Sequence, residues 1–557
     1  MIEITIDGKK IKTEEGKTIL EVASENDIRI PSLCHHSDLK PKEGCRLCVV
    51  EIEGERNFMP ACATKIRDGM NIITQSEELN RTRKTNLELI FSQHIEKCGT
   101  CIWSNRCKML SLAEELDIRI NLWEDRKKDY PKFNFGPSII FDSSKCINCL
   151  NCVEACPVQY LEYAKKGDFM EVFPSLDKNI DCIYCGQCAI HCPSGAFSTI
   201  NPEKEVEAAL LDKKKTVVFQ FAPSIRSSIG EEFGYDWGEV VIEKMVGAMK
   251  ELGAEKVFDV STGADLTTIE EAKELIERLE GGKNLPMMTS CCPAWVKYIE
   301  FYRPEMIPNL TTVRSPQIIL GGLIKTYWAQ KEGLDPKDIV VVSVMPCTSK
   351  KYEIKREELK IDGVFPVDFV LTTHEFAKFL IKKGINLKTV KAMPVDHPLG
   401  EHSGAGVIFG ASGGVMESAL REASKLLDCS FSKIEFKQAR GMQDIKEAEI
   451  DLKGAKLKIA VVNGLKNLDK INLNDYHYVE VMACPGGCIG GGGQPIPTSS
   501  EIRKKRAQAL YNLDKKNTIR VASDNPLMEE VYESFLKQKD NLNKVSYTKF
   551  FKKNKEN

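Results

Sequence analysis

The sequence predicts a multi-domain chain of mixed α/β and α+β class, with a cysteine-dense N-terminal third ahead of a larger α/β body. Three observations predict it. The length of 557 residues corresponds to three or four domains at roughly 150 residues each. The 21 cysteines come in bursts: Cys34 to Cys62, Cys98 to Cys107, Cys146 to Cys192, then Cys291, Cys292 and Cys347, and finally Cys484 with Cys488; none lies between Cys192 and Cys291. Beyond that gap, apolar β-rich runs at 216–221, 256–260, 338–344 and 458–462 alternate with helical stretches such as 267–280, the pattern of α/β layers on a largely parallel sheet.

Composition narrows the function. Lys plus Arg number 78 against 80 Asp plus Glu, a formal charge of -2, so no global basic field recruits nucleic acid or anionic lipid. An odd number of cysteines in short spacings points to metal ligation in a reducing compartment rather than to disulfides. The N-terminal residues lack the apolar core of a signal peptide, and the uncharged run 481–500 is too rich in Gly and Pro for a membrane helix. The expectation is a soluble cytoplasmic protein with no membrane or nucleic-acid partner.

Taken in chain order, Ile2, Ile4 and Ile6 alternate with polar residues at the period of a half-buried strand. Cys34-x10-Cys45-x2-Cys48-x13-Cys62 then supplies four thiolates around a turn-rich loop. It resembles a plant-type 2Fe-2S ferredoxin domain of β-grasp fold, with a longer first spacing; a structural zinc is the alternative. Next comes His94-x3-Cys98-x2-Cys101-x5-Cys107, where helical spacing would put His94 and Cys98 on one face. By ligand type alone this suits zinc. The spacing is similar to the His-ligated 4Fe-4S cluster shared by the large iron-sulfur subunit of respiratory complex I and certain hydrogenases. Residues 125–136, charged at first and containing Pro131, read as a linker.

Two runs follow, Cys146-x2-Cys149-x2-Cys152-x3-Cys156-Pro157 and Cys182-x2-Cys185-x2-Cys188-x3-Cys192-Pro193. They resemble a two-cluster bacterial ferredoxin, in which three thiolates of each run bind one cubane and the fourth crosses over. Cys192 would complete the first cluster and Cys156 the second, and two such clusters imply electron transfer.

The body carries Thr289-Ser-Cys291-Cys292-Pro293-Ala-Trp295, then Met345-Pro-Cys347-Thr-Ser-Lys350-Lys-Tyr-Glu353, then Glu480-Val-Met482-Ala-Cys484-Pro-Gly-Gly-Cys488 with five further residues to Gln494. These segments resemble, in order and spacing, the three signatures of the iron-only (di-iron) hydrogenases. With the N-terminal modules the likeness extends over nearly the whole chain, and is greatest to the monomeric clostridial type. It implies that Cys292, Cys347, Cys484 and Cys488 hold a 4Fe-4S cubane, with Cys488 bridging to a di-iron unit that carries CO, cyanide and an azadithiolate. Together these form the H-cluster. Cys291 would be the proton donor and acceptor, and Lys350 would hydrogen-bond a cyanide. Pro223 and Ser224 would lie beside a cyanide; Gln317, Met345, Phe409 and Met482 would line the diatomic-ligand pocket. Without the resemblance the methionines read as core fillers. Gly486, Gly487 and Gly490 to Gly493 would let the backbone approach the cluster, and Pro485 would stiffen the turn.

For protons, Glu271, Glu274 and Arg278 fall at i, i+3 and i+7 on one helix face, which in general is a solvated charged face. The resemblance implies a route of Cys291, Glu271, a hydroxyl, Glu274 and Arg278. The hydroxyl position is usually Ser and here is Thr311, which keeps a donor and an acceptor. Cys429 has no assigned role, and the Lys-rich tail from Arg503 reads as a solvated face.

The implied cofactors are one 2Fe-2S cluster, three accessory 4Fe-4S clusters and the H-cluster. The implied domains are 1–80 (β-grasp 2Fe-2S), 81–125 (His/Cys3 4Fe-4S), 136–205 (two 4Fe-4S, ferredoxin-like), 210–500 (the large α/β hydrogenase catalytic domain) and 501–557 (a C-terminal helical segment). The implied activity is reversible reduction of protons to hydrogen. The implied partners are ferredoxin or flavodoxin and the maturation proteins that deliver the di-iron unit, to a monomer. The rival readings are the hydrogenase subunit of an NADH-linked bifurcating complex, with nicotinamide bound on a partner chain, and a non-catalytic complex I-like electron-transfer or sensory subunit.

Overall fold

The computed structural model describes residues 1–94, 98, 101, 107–167, 169–429, 439–538 and 540–555. They fall into two compact units: the first is Met1–Phe135, Ile139–Ile180 and His191–Ser198, and the second is Gly136–Ser138, Asp181–Ile190 and Thr199–Asn557. Among the described residues no helix is long and apolar enough to cross a membrane.

In the first unit the alternating N-terminal isoleucines form the strand Ile2–Ile6, which pairs antiparallel with Lys9–Thr13 and parallel with Asn71–Ile73. Val49–Ile52 and Met59–Pro60 complete a five-stranded sheet. The helix Ile19–Glu25 packs on it through Ile19 and Val22, against Ile4, Ile6 and Ile72. A capping box starts this helix, with the Thr18 hydroxyl accepting from Glu21 N–H and the Glu21 carboxylate accepting from Thr18 N–H. This is the β-grasp arrangement that the resemblance to 2Fe-2S ferredoxins implies. Ser76 caps the helix Glu77–Phe91, which leads to His94.

Residues 125–136 are more than a linker. They include the strand Lys132–Phe135, paired with Ile139–Asp142, and Lys127 is fully buried, donating to the Cys146 carbonyl at 2.8 Å and paired with Glu171 at 2.8 Å. A buried ammonium needs such partners, and they fix this stretch to the first ferredoxin run.

The second unit holds two four-stranded sheets. In the first, Lys256–Asp259, Thr216–Phe221, Ile339–Met345 and Phe369–Thr372 are all parallel, in that order. Their nearly unbroken Val, Ile and Phe content reflects burial on both faces. In the second, Met287–Met288, Tyr478–Met482 and Ala455–Asn463 are parallel, and Ile445–Leu452 joins antiparallel through a hairpin. The helix Val260–Gly281 begins seven residues before its expected start, capped by the Asp259 carboxylate on Ser261 N–H. Its first half is buried on all sides, so no amphipathic period marked that start.

The tail departs from the solvated-face reading. The helix Ser500–Lys516 buries Ile502, Arg506, Ala507 and Leu510. Arg506 pairs with Glu231, and the Tyr532 and Tyr547 hydroxyls both donate to the buried Glu270. Leu527, Met528, Val531 and Phe535 join the main core. The lysines lie between these positions and keep the water-facing side.

Candidate active site and cluster-binding sites

Parallel strands end where their carboxyl termini point, and ligands gather there. In the second unit Thr216–Phe221 leads to Pro223 and Ser224, Ile339–Met345 to Cys347, Met287–Met288 to Cys291 and Cys292, and Tyr478–Met482 to Cys484 and Cys488. One cavity is lined by Pro223, Ser224, Gln317, Met345, Phe409 and Met482, all six expected pocket residues, together with Cys291, Cys292, Cys347, Lys350 and Cys488. Cys484 stands just behind, within electrostatic reach of Cys292, Cys347 and Cys488. Four thiols from three segments therefore meet, a donor set that fits a cubane. Burial pushes the Cys347 thiol up to about 11 and the Cys488 thiol up to about 12, with Lys350 pulling both the other way. Such thiols become thiolates on ligating a metal.

The glycines also serve the packing of the protein itself. A Cβ on Gly491 would lie 2.3 Å from the Pro346 carbonyl oxygen, and one on Gly492 2.5 Å from that of Cys185. They are small so that the Cys488 segment can pack backbone to backbone on the Cys347 and Cys185 segments. Gly486 and Gly487, at φ 84° and 80°, make the left-handed turn between Cys484 and Cys488.

Lys350 Nζ donates to Ser315 Oγ at 2.8 Å, to Glu353 Oε2 at 2.8 Å and to the Cys291 carbonyl at 3.2 Å. Burial alone would lower its pKa, but Glu353 leaves it raised on balance. The same Glu353 oxygen accepts from Gln317 Nε2 at 2.7 Å. Sequence reasoning missed Glu353 and Ser315 as site residues, although Glu353 sits inside a signature.

On the proton side, Glu271 is fully buried, and burial pushes its carboxyl up to about 8. Burial and then Glu271 push the Cys291 thiol well up. The Thr311 hydroxyl donates to Glu274 Oε2 at 2.7 Å, and Thr312 N–H to the same oxygen at 2.9 Å. Arg278 pairs with Glu274 and donates to the carbonyls of Asn284, Pro308, Asn309 and Leu310. The solvated-face reading fails here: Glu274 and Arg278 are only 12% and 10% exposed in their side chains. Glu271 accepts from the Tyr478 hydroxyl at 2.7 Å, a partner sequence reasoning also missed.

In the first unit the Cys34 and Cys45 thiols are hydrogen-bonded neighbours, as are Cys48 and Cys62, and the two pairs feel each other's charge. Cys149 likewise feels Cys146 and Cys192, three of the four thiols expected for the first cubane. His94 is buried with Nδ1 3.0 Å from the Lys145 carbonyl. A ligating His commonly gives one ring N–H to such an oxygen and leaves the other nitrogen for the metal. Cys98, Cys101 and Cys107 are partly or fully exposed, and the residues between them lie outside those described. Cys156 belongs to the first unit, and Cys182, Cys185 and Cys188 to the second. There the Cys185 carbonyl lies 3.9 Å from Cys484 Sγ, and Thr348 donates to the Tyr184 carbonyl at 2.6 Å. Cys429 packs on the core of the second sheet.

Comparison with known proteins agrees with this geometry. The family described as "Iron only hydrogenase large subunit, C-terminal domain" matches residues 215–492, and "Iron hydrogenase small subunit" matches 500–544. A 2Fe-2S iron-sulfur cluster binding domain matches 1–77, the NADH-ubiquinone oxidoreductase-G iron-sulfur binding region 83–121, and a 4Fe-4S dicluster domain 145–197. The chain is 39% identical to NADP-reducing hydrogenase subunit HndD of Solidesulfovibrio fructosivorans, over 99% of each chain. It is also 39% identical to iron hydrogenase 1 of Clostridium pasteurianum, over 96% of this chain and 97% of that one. A solved variant of the HydA1 hydrogenase from Chlamydomonas reinhardtii matches with a TM-score of 0.57 and 36% identity, over 63% of this chain and 98% of that one. The chain belongs to the iron-only hydrogenases. It reduces protons to hydrogen at an H-cluster, with accessory iron-sulfur clusters relaying electrons.

Proposed function

We propose a division of labour among this chain's residues. The observation that carries it is the one cavity that brings together Cys291, Cys292, Cys347 and Cys488, from all three signatures, with Lys350 and the six pocket residues. The H-cluster, when bound, supplies the metal chemistry of proton reduction. Cys292, Cys347, Cys484 and Cys488 would hold it. Lys350, held by Glu353 and Ser315, presents a fixed ammonium to the cavity, where an anionic ligand is favoured. Pro223, Ser224, Gln317, Met345, Phe409 and Met482 shape the walls and exclude water. Cys291 holds a proton at Sγ beside the cavity, and Glu271, Thr311, Glu274 and Arg278 carry protons between it and the surface.

We infer the accessory ligand sets as the spacings give them: Cys34, Cys45, Cys48 and Cys62; His94, Cys98, Cys101 and Cys107; Cys146, Cys149, Cys152 and Cys192; Cys182, Cys185, Cys188 and Cys156. The domain limits 1–80, 81–125, 136–205, 210–500 and 501–557 follow the same division and run close to the spans matched by the separate families. The electron partner is a ferredoxin or flavodoxin, the setting is the cytoplasm, and maturation proteins deliver the di-iron unit. The test is infrared spectroscopy of matured protein alongside hydrogen evolution from reduced methyl viologen. Bands of iron-bound CO and cyanide are expected, and active protein without them would overturn the assignment.

The full-length likeness to an NADP-reducing hydrogenase subunit favours a second reading, in which this chain works beside a nicotinamide-binding partner. Copurification of a flavoprotein subunit, with hydrogen evolution driven jointly by NADH and reduced ferredoxin, would select it.

A further inference from the structure

Tyr478 opens the strand Tyr478–Met482, with its ring among Ala272, Leu275, Met287 and Met416. Its hydroxyl donates to Glu271 Oε1 at 2.7 Å, and the two residues are 0% and 1% exposed. At such burial the direction of a carboxyl is set by protein partners rather than by bulk water. We propose that Tyr478 is the positioning residue of the proton route: its hydroxyl ties down one oxygen of Glu271, fixes the plane of the carboxyl and leaves Oε2 to exchange the proton. The inference rests on Glu271 being a relay group and adds the residue that aims it.

Two features make Tyr478 a positioning group rather than a further relay. Its ring is embedded in an apolar cluster, so the route does not continue through it. Burial, and then Glu271, also push its phenol well up, so the hydroxyl stays a donor whatever the charge on Glu271. The groups that face Glu271 are Glu274 and Arg278 on its own helix, Tyr478 and Glu480 on the neighbouring strand, and Cys291 beyond the end of Met287–Met288. Lys446 faces Glu480 in turn. Burial raises the Glu271 pKa most, Tyr478 opposes it, Glu274 and Glu480 add to it, and Arg278 subtracts. A hydrogen bond donated to a carboxylate favours the ionised form. Loss of this one raises the proton affinity of Glu271 by about tenfold, or about one pH unit.

The experiment uses matured holoenzyme with Tyr478→Phe, which keeps the ring. The CO and cyanide bands should be unchanged, and hydrogen evolution should fall about tenfold. The alkaline limb of its pH profile should move up by about one unit. The carboxylic-acid C=O band that disappears in Glu271→Gln should move to higher frequency in Tyr478→Phe, because a donor to that group is gone. In a Glu271→Gln background, Tyr478→Phe should change nothing further. A fluorotyrosine at position 478, a stronger donor of almost the same shape, should move the limb down and gives a second reading if Tyr478→Phe disturbs folding. An unchanged limb and carboxyl band in both Tyr478 variants, with Glu271→Gln inactive, would overturn the positioning role while leaving Glu271 as a relay. Full activity in Glu271→Gln would overturn both.

Discussion

Glu353 and Lys350 form an i, i+3 pair across the single-turn helix Lys350–Glu353, with 2.8 Å between Oε2 and Nζ and both side chains buried. Removing one member of a buried pair strands the other, at a cost of about 3–5 kcal/mol. Glu353→Gln should therefore lower the thermal midpoint and abolish most hydrogen evolution together. Differential scanning calorimetry beside a viologen assay checks both; a stable, fully active variant would remove Glu353 from the site.

Cys291→Ser should cut turnover by about 100-fold or more, the scale of a lost proton-transfer group, while iron content and the CO and cyanide bands persist. Cys292→Ala should lose iron at the cubane. The reverse pattern would mean that the adjacent thiols exchange roles.

Thr311→Val keeps the shape and deletes the hydroxyl that donates to Glu274. Hydrogen evolution should fall by about 10- to 100-fold, whereas Thr311→Ser should stay within a fewfold of the parent chain. Equal rates in the two variants would take the hydroxyl off the route.

Burial holds the Glu271 carboxyl at about 8, against an ordinary carboxyl near 4.5. Between those values the folded chain binds one proton more than the unfolded chain, so this group alone makes stability fall as pH rises. It contributes nothing adverse below the lower value, and its effect is complete above the upper one. Thermal midpoints at pH 6 and pH 8.5 should differ less in Glu271→Gln than in the parent. An unchanged difference would mean that Glu271 ionises normally.

His94→Ala should remove or alter one accessory signal in electron paramagnetic resonance and leave the H-cluster infrared bands in place. An unchanged accessory spectrum would mean that His94 is no ligand.

The strands and most site residues were legible because their signals are local. The run Thr216–Phe221 is found at its expected bounds, since a doubly buried parallel strand is written as continuous apolar sequence. The cysteines are legible because cluster ligands need short fixed spacings. Tyr478 and Glu271 were not paired in advance because 207 residues separate them, and a Tyr in an apolar strand looks like any other core residue. The tail misled for a related reason. Its buried Arg506 belongs to the same lysine-rich composition as its wet face, and only the position of Glu231 tells them apart.

The close seat of Cys484 on the Cys185 backbone has an electrical consequence. Clusters held by these two segments, as proposed above, would not be charged independently. Unit charges about 10 Å apart in a medium of effective dielectric about 20 repel by about 1.7 kcal/mol, or roughly 70 mV for one electron. An electron held on either segment would then disfavour a second on the other, so filling of the pair would be anticooperative and reduction of one site would lower the potential of its neighbour.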